Sequence, residues 1–227
     1  MRAVQVFLGY DERQSVAFQV AAHSVWEHAS VPVSVTRLHI KTLPITRKGL
    51  TDFTYSRFLC PWLCDYQGVS IFMDADVLCL GDVAELLAFP LAYPDVPVFC
   101  VQHSMKYEWA SVMVFNNALC TNLTPEYVND KDHHLLKFDW CEQVGALPKA
   151  WNVLVGYDQH TEGAKLLHYT QGIPIWPETK GCDRAADWHQ AFRHANSSVT
   201  FEALMGNSVH VPSIKRRLAE QQQPVQV

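Results

Sequence analysis

Ile71-Phe72-Met73-Asp74-Ala75-Asp76-Val77-Leu78 is the stretch on which the reading of this chain turns. An apolar run leads straight into two carboxylates one residue apart. The run has the length of a buried strand, and such a strand tolerates charge only at its end. Asp74 and Asp76 are therefore expected at the carboxyl edge of a sheet, where open α/β folds place their ligands. Side chains alternate along an extended segment, so a turn after the strand has to bring both acids toward one point. Two close carboxylates repel unless something positive lies between them. A hard divalent cation such as Mn²⁺ or Mg²⁺ suits the position, because it prefers oxygen ligands and bridges to phosphate. The pattern points to chemistry on a phosphorylated substrate, although Asp-x-Asp is also a common turn sequence.

Outward from this stretch, strands and helices alternate. Val4 to Leu8, Val33 to Ile40, Val69 to Met73, Pro97 to Gln102, Ser111 to Phe115 and Leu166 to Tyr169 read as strands. Gln14 to His28, Phe53 to Tyr66 (interrupted by Pro61), Asp82 to Leu87 and Asp183 to Ala195 read as helices, and 125–140 as polar and partly helical. The alternation predicts an α/β three-layer sandwich with a mostly parallel mixed sheet, forming a single domain over 1–212. The tail 213–227, with Lys215-Arg216-Arg217 and a glutamine run, is expected to be frayed and solvated. Its short basic cluster reads as a solubilising end, with weak contact to an anionic membrane as the alternative.

Composition narrows the function classes. The chain of 227 residues is large enough for a substantial core, and its formal net charge of −5 argues against a nucleic-acid binder. No apolar run reaches the ~20 residues that cross a bilayer. The first eight residues read as a strand rather than a signal peptide. The seven cysteines are odd in number and scattered, several inside apolar runs. They look like small core residues of a reducing compartment, which places the protein in the cytoplasm.

Further groups sit where strands end. Gly9-Tyr10-Asp11 closes the first strand, with Asp11 placed either to bond a base or ribose hydroxyl or to cap the next helix. No Gly-x-Gly-x-x-Gly accompanies it, which excludes the usual dinucleotide site. Arg57 offers paired donors for a diphosphate, or a surface ion pair. Asn116 ends a strand, either to fix sugar hydroxyls or to make a turn. His168 ends a short apolar strand, as third ligand to a metal held by the two acids or as a core histidine.

Taken in order, these groups resemble the retaining glycosyltransferases of family eight, which have the GT-A nucleotide-sugar fold. The resemblance rests on Phe7-Leu8-Gly9-Tyr10-Asp11, Tyr55-Ser56-Arg57, Phe72-Met73-Asp74-Ala75-Asp76 with Gly81-Asp82-Val83, Val114-Phe115-Asn116, Leu147-Pro148-Lys149-Ala150-Trp151-Asn152 and His168-Tyr169, and extends to about Trp176. It implies that Asp74, Asp76 and His168 hold Mn²⁺ (or Mg²⁺) on the donor diphosphate. It also implies that Gly9, Tyr10 and Asp11 meet the nucleoside, that Arg57, Ala75 and Gly172 adjoin the donor, and that Asn116 and Asn152 approach the sugar. The implied reaction moves a hexose from a UDP-sugar to a hydroxyl of a glycan, lipid-linked sugar or protein, with retention.

Two positions depart from that pattern. Pro174 in Gly172-Ile173-Pro174-Ile175-Trp176 stands where the family often has lysine, leaving Lys180 as a substitute phosphate contact. Asp130-Lys131-Asp132 stands where it often has Asp-Gln-Asp. These departures keep open a degenerate nucleotide-sugar binder without turnover. A haloacid-dehalogenase-like phosphatase also places Asp-x-Asp after a buried strand. In that fold the acidic strand comes first, whereas here two strands and two helices precede it.

Overall fold

The computed structural model describes residues 3–196 and 211–221. The chain divides into two compact units, Met1–Ala195 and Asn196–Val227.

In the first unit, six strands form one sheet. They are β1 (Val4–Gly9), β2 (Val33–Leu38), β3 (Val69–Met73), β5 (Val98–Cys100), β6 (Val112–Asn116) and β7 (Val144–Ala146), in spatial order β2-β1-β3-β6-β5-β7. The pairs β1–β2, β1–β3 and β5–β7 are parallel, and only β6 runs against its two neighbours. Alternate residues of β1 go to opposite sides: Val4, Val6 and Leu8 enter one apolar cluster with Ile71, Met73 and the α1 residues Ala21, Ala22 and Val25, while Phe7 joins Phe72 and Phe58 in the other. Here α1 is Ser15–His28. Both sheet faces are covered, which gives the expected three-layer sandwich.

A second, small sheet determines where the chemistry sits. It joins β4 (Val77–Cys79), β8 (Val153–Leu154) and β9 (Leu166–His168) in the order β4-β9-β8. β4 follows β3 after the turn Asp74-Ala75-Asp76, and pairs antiparallel with β9 so that Val77 faces His168. β8 and β9 are parallel, with Leu154 opposite His168.

Several expectations are corrected. The helix read over 53–66 shrinks to a 3-10 turn, Ser56–Leu59, and one α turn, Cys60–Leu63. It ends at Asp65 and Tyr66, both at positive φ, a conformation no helix continues through. The strands β4, β7 and β8 are two or three residues long, too short for a periodicity to reveal. After α1 come α2 (Cys60–Leu63), α3 (Ala88–Ala92), α4 (Pro125–Asn129) and α5 (Ala185–Asn196), and α4 and α5 lie where helix was read. In the second unit, Val211–Gln221 is helical where a frayed tail is expected. Pro212 near its start and the good helix formers Lys215, Arg216, Arg217, Leu218 and Ala219 account for that. All seven cysteines are free, four of them buried.

Candidate active site

The site begins where β3 stops. The Asp74 amide donates to the Ser111 carbonyl at 2.9 Å, the last rung between β3 and the start of β6. The chain then turns, and the β4–β9 ladder resumes at Val77 and His168. The Tyr169 amide donates to the Asp76 carbonyl at 2.9 Å, which fastens β9 to the acidic turn itself. A residue ninety-odd positions later in sequence is thereby set beside the acids by backbone register alone. Nε2 of His168 lies 3.3 Å from Oδ1 of Asp76 and 4.0 Å from Oδ2 of Asp74, and the potential ligand atoms of all three residues lie within 4.8 Å of one another. Ligands in adjacent positions around a Mg²⁺-sized ion are about 3 Å apart and opposite ones about 4 Å. The three atoms thus have the spacing of a shared cation. Oδ1 of Asp74 and Oδ1 of Asp76 are buried and make no hydrogen bond, so both carry unused acceptor capacity at this point.

Charge and burial agree with that reading. Burial raises the Asp74 carboxyl, the Arg57 guanidinium opposes the rise, and Asp76 adds to it, leaving the group at about 6. Burial alone would depress the His168 imidazole, but Asp76, then Asp74 and Glu108, overcome it and hold the group up at about 9. Each group is displaced toward its protonated form, Asp74 chiefly by burial and His168 by the crowded negative charge beside it. A divalent cation relieves that crowding by taking the place of the proton.

Around the three residues is a supporting layer. Oδ1 of Asn152 lies 3.1 Å from Nδ1 of His168, and its Nδ2 donates to the Glu108 carbonyl at 3.2 Å. Asn152 is fully buried and orients the imidazole. Glu108, on the turn before β6, accepts from Thr170 Oγ1 at 2.8 Å and Ser111 Oγ at 3.0 Å, and its carboxylate is 3.5 Å from His168 Nδ1. The reading missed it. Its signal was an acid embedded in the aromatic Tyr107-Glu108-Trp109 immediately before a strand.

Arg57 lines the cleft beside Asp74. It is buried at 6% exposure, with its guanidinium 3.0 Å from Oδ1 of Asp74 in an ion pair whose N–H is not aligned on the oxygen. Its Nη1 donates to the Ala110 carbonyl at 2.7 Å and its Nε to the Phe53 carbonyl at 3.2 Å, while the Phe72 ring lies 4.8 Å away. Two of its five N–H donors are thus committed to loop carbonyls, and its charge is set against Asp74.

Asn116 lies at the wrong end of the sheet. Because β6 is antiparallel to β3, Asn116 pairs with Val69, the first residue of β3, and its side-chain Nδ2 donates to the Pro94 carbonyl. The start of β6 borders the site, not its end. Asp11 takes the capping alternative: it accepts from the Arg13 amide at 3.0 Å and pairs with the Arg13 side chain, which lowers its carboxyl below the usual range. Tyr10 stacks edge-on to Phe18 and His39 beneath the Arg37 guanidinium. Gly9 backs onto the Phe53 ring, and Ala75 is buried in the acidic turn. Gly172, at φ +114°, closes the turn after Tyr169, which demands glycine.

A cleft of about 350 Å³ opens over Asp74, Asp76 and His168, walled by Phe53, Leu50 and Tyr107. Its cationic lining residues are Arg57 and His168; Lys180 is not among them.

No family model matches this sequence. Protein CDI of Arabidopsis thaliana is 32% identical to it, over 88% of this chain and 90% of that one. The chain belongs to the family of Protein CDI. Among solved structures, the bifunctional glycosyltransferase WbbM superposes with a TM-score of 0.62 at 16% identity, over 95% of this chain. This chain spans about half, 51%, of the WbbM chain. GlyE of Streptococcus pneumoniae superposes with a TM-score of 0.62 at 16% identity, over 94% of this chain and 64% of that one. The galactosyltransferase LgtC, crystallised with donor and acceptor sugar analogs, gives 0.56 at 13% identity, over 88% of this chain and 98% of that one. At these identities the likeness establishes the fold, that of the GT-A glycosyltransferases.

Proposed function

We propose that this protein is a metal-dependent, retaining glycosyltransferase that moves a hexose from a UDP-sugar to the hydroxyl of a carbohydrate-type acceptor. The observation that carries the reading is the convergence of Asp74, Asp76 and His168 at the carboxyl edge of β3, at the floor of a cleft. Asp74, Asp76 and His168 are the residues that would hold Mn²⁺ or Mg²⁺. When bound, the ion supplies electrostatic stabilisation of the charge that builds on the departing diphosphate.

The chain's own residues divide the remaining work. Asn152 accepts from Nδ1 of His168 and keeps Nε2 turned to the acids. Arg57 fixes Asp74 against the β3 terminus. Phe53, Leu50 and Tyr107 provide apolar and aromatic wall for a donor or acceptor sugar and displace water from it. The further carboxylate of the cleft lining, Glu108, is engaged by Thr170, Ser111 and the His168 imidazole; the reading therefore has the acceptor hydroxyl attack on the face the diphosphate leaves, with a phosphate oxygen accepting its proton. Nothing in the described helices is long and apolar enough to cross a membrane, and the reading assigns the protein to the cytoplasm.

One observation favours a second reading, a nucleotide-sugar binder without turnover. Arg57 is engaged by Asp74, and Pro174 occupies the position of the family lysine, which leaves the cleft short of cations for a leaving diphosphate. Incubation with a panel of UDP-sugars, excess Mn²⁺ and free water or simple glycoside acceptors separates them. The transferase releases UDP and forms glycoside; the binder takes up UDP with Mn²⁺ and releases none. Release of inorganic phosphate from phosphate esters would instead favour the phosphatase alternative.

A further inference from the structure

On the outer side of the first unit, α1 and α5 meet through a second group of ligating side chains. His23 and Glu27 stand one turn apart on α1 and so share a face. His194, on the last turn of α5, completes the group: its Nδ1 lies 3.2 Å from Oε1 of Glu27. Oε2 of the same carboxylate is 3.9 Å from Nε2 of His23, and the two imidazole rings stand edge-to-face with centroids 6.4 Å apart. One ligand atom from each residue can be chosen such that all lie within 4.8 Å of one another.

We propose that His23, Glu27 and His194 form a second metal site, selective for a borderline divalent ion such as Zn²⁺ and independent of the acidic cluster at β3. The donor set decides the class of ion. Two imidazoles and one carboxylate suit Zn²⁺, Co²⁺ or Ni²⁺, whereas two carboxylates and one imidazole suit Mn²⁺ or Mg²⁺. The bland alternative is a pair of surface ion pairs bridged by Glu27. That alternative leaves Nε2 of His23 unexplained: the atom is buried, aims at the carboxylate from 3.9 Å, beyond hydrogen-bond reach, and has no hydrogen-bond partner. An ion between the two groups satisfies it. A hollow of about 190 Å³ adjoins Glu27 and His194 and provides room for the water that completes a three-residue site. The bound ion ties the last turn of α1 to the last turn of α5, so that binding to the folded state alone raises thermal stability.

The test uses the full chain carrying Asp76→Asn, which removes the other site. Co²⁺ titration is expected to give one equivalent with visible d–d absorption, displaced by Zn²⁺, and Zn²⁺ is expected to raise the unfolding temperature. Adding His23→Gln, Glu27→Gln or His194→Gln is each expected to lower the Co²⁺ affinity at least tenfold and cancel the thermal shift. Far-UV circular dichroism checks that these half-exposed substitutions leave the fold intact, and a His23→Gln single variant is expected to keep its Mn²⁺ response. The inference is overturned if the Asp76→Asn protein binds no Co²⁺, if all three added variants bind as it does, or if an intense near-ultraviolet thiolate band places the ion on cysteines.

Discussion

Oδ1 of Asn152 sits 3.1 Å from Nδ1 of His168, and this contact decides which ring nitrogen faces the acidic pair. The amide oxygen accepts the Nδ1 proton, leaving Nε2 as the nitrogen directed at Asp76 and Asp74. Such a partner both orients a ligating imidazole and raises its basicity, and its loss typically costs about 10–100-fold in metal affinity. Asn152→Ala is therefore expected to weaken Mn²⁺ binding by that factor while UDP-sugar saturation at high Mn²⁺ is restored. Calorimetric Mn²⁺ titration checks it; unchanged affinity would remove Asn152 from the site.

Asp76 has an orphaned buried oxygen and no ion pair with Arg57. Replacing it with asparagine keeps the shape and removes the charge that faces His168. Metal-dependent release of UDP is expected to fall by about 10²–10³-fold, with the unfolding temperature of the metal-free protein altered by only a few degrees. The loss of a charge-stabilising group in a low-dielectric site is worth about 3–4 kcal/mol of barrier, which sets that scale. Coupled UDP-release assays over a Mn²⁺ series, with a melting curve alongside, give the result.

For Arg57 the expected readout is stability. Its guanidinium is buried against Asp74 and bonded to the Ala110 and Phe53 carbonyls. Removing one member of a buried pair strands the other, at about 3–5 kcal/mol. In a domain of this size that lowers the unfolding temperature by on the order of ten degrees. Arg57→Met should show this fall, and adding Asp74→Asn should recover part of it. If Arg57→Met melts like the parent but loses donor affinity, the guanidinium faces the diphosphate after all, as the sequence suggested.

That disagreement illustrates what was legible beforehand. The alternation of apolar runs gave the sandwich and the position of Asp74 and Asp76, because a buried strand that ends in acids has few other places to go. His168 was readable as a strand-end imidazole. Its partnership with the acids depends on the Val77–His168 register of a three-residue ladder, which no local pattern reports. Asn116 was misplaced because strand direction is not written in an apolar run: β6 reads the same in either orientation, and only the antiparallel pairing with β3 sends its end away from the cleft. Glu108 and Asn152 act from behind the site, buried, where composition alone gives an acid or amide no visible purpose.

The displaced titrations predict a pH dependence. His168 is held up at about 9 against 6.5 when unfolded, so the stability it contributes is complete below pH 6.5 and is lost as pH rises through 9. Asp74, raised from 3.8 to about 6, acts in the same direction over that lower interval. The metal-free protein is expected to melt at progressively lower temperature from about pH 4 to 9. Mn²⁺, which requires both groups deprotonated, should stabilise more at pH 8 than at pH 6. Melting curves in EDTA and in Mn²⁺ across this range test both statements, and His168→Gln should flatten the EDTA profile between pH 6.5 and 9.

The last prediction concerns the wall of the cleft. A Cβ on Gly9 would lie 2.6 Å from the Phe53 ring, closer than two carbons can approach, and the neighbour that has to yield is itself a cleft residue. Phe53 is buried, and its carbonyl receives the Arg57 guanidinium, so the ring cannot move without disturbing the group that holds Asp74. Gly9→Ala is expected to cost about 1–3 kcal/mol, as overpacked cores do, and to raise KM for the donor more than it lowers kcat. Phe53→Leu in the same chain frees space at the point of contact and should recover the melting temperature. Recovery of stability without recovery of KM would separate packing from recognition and assign the Phe53 ring itself a contact with the donor.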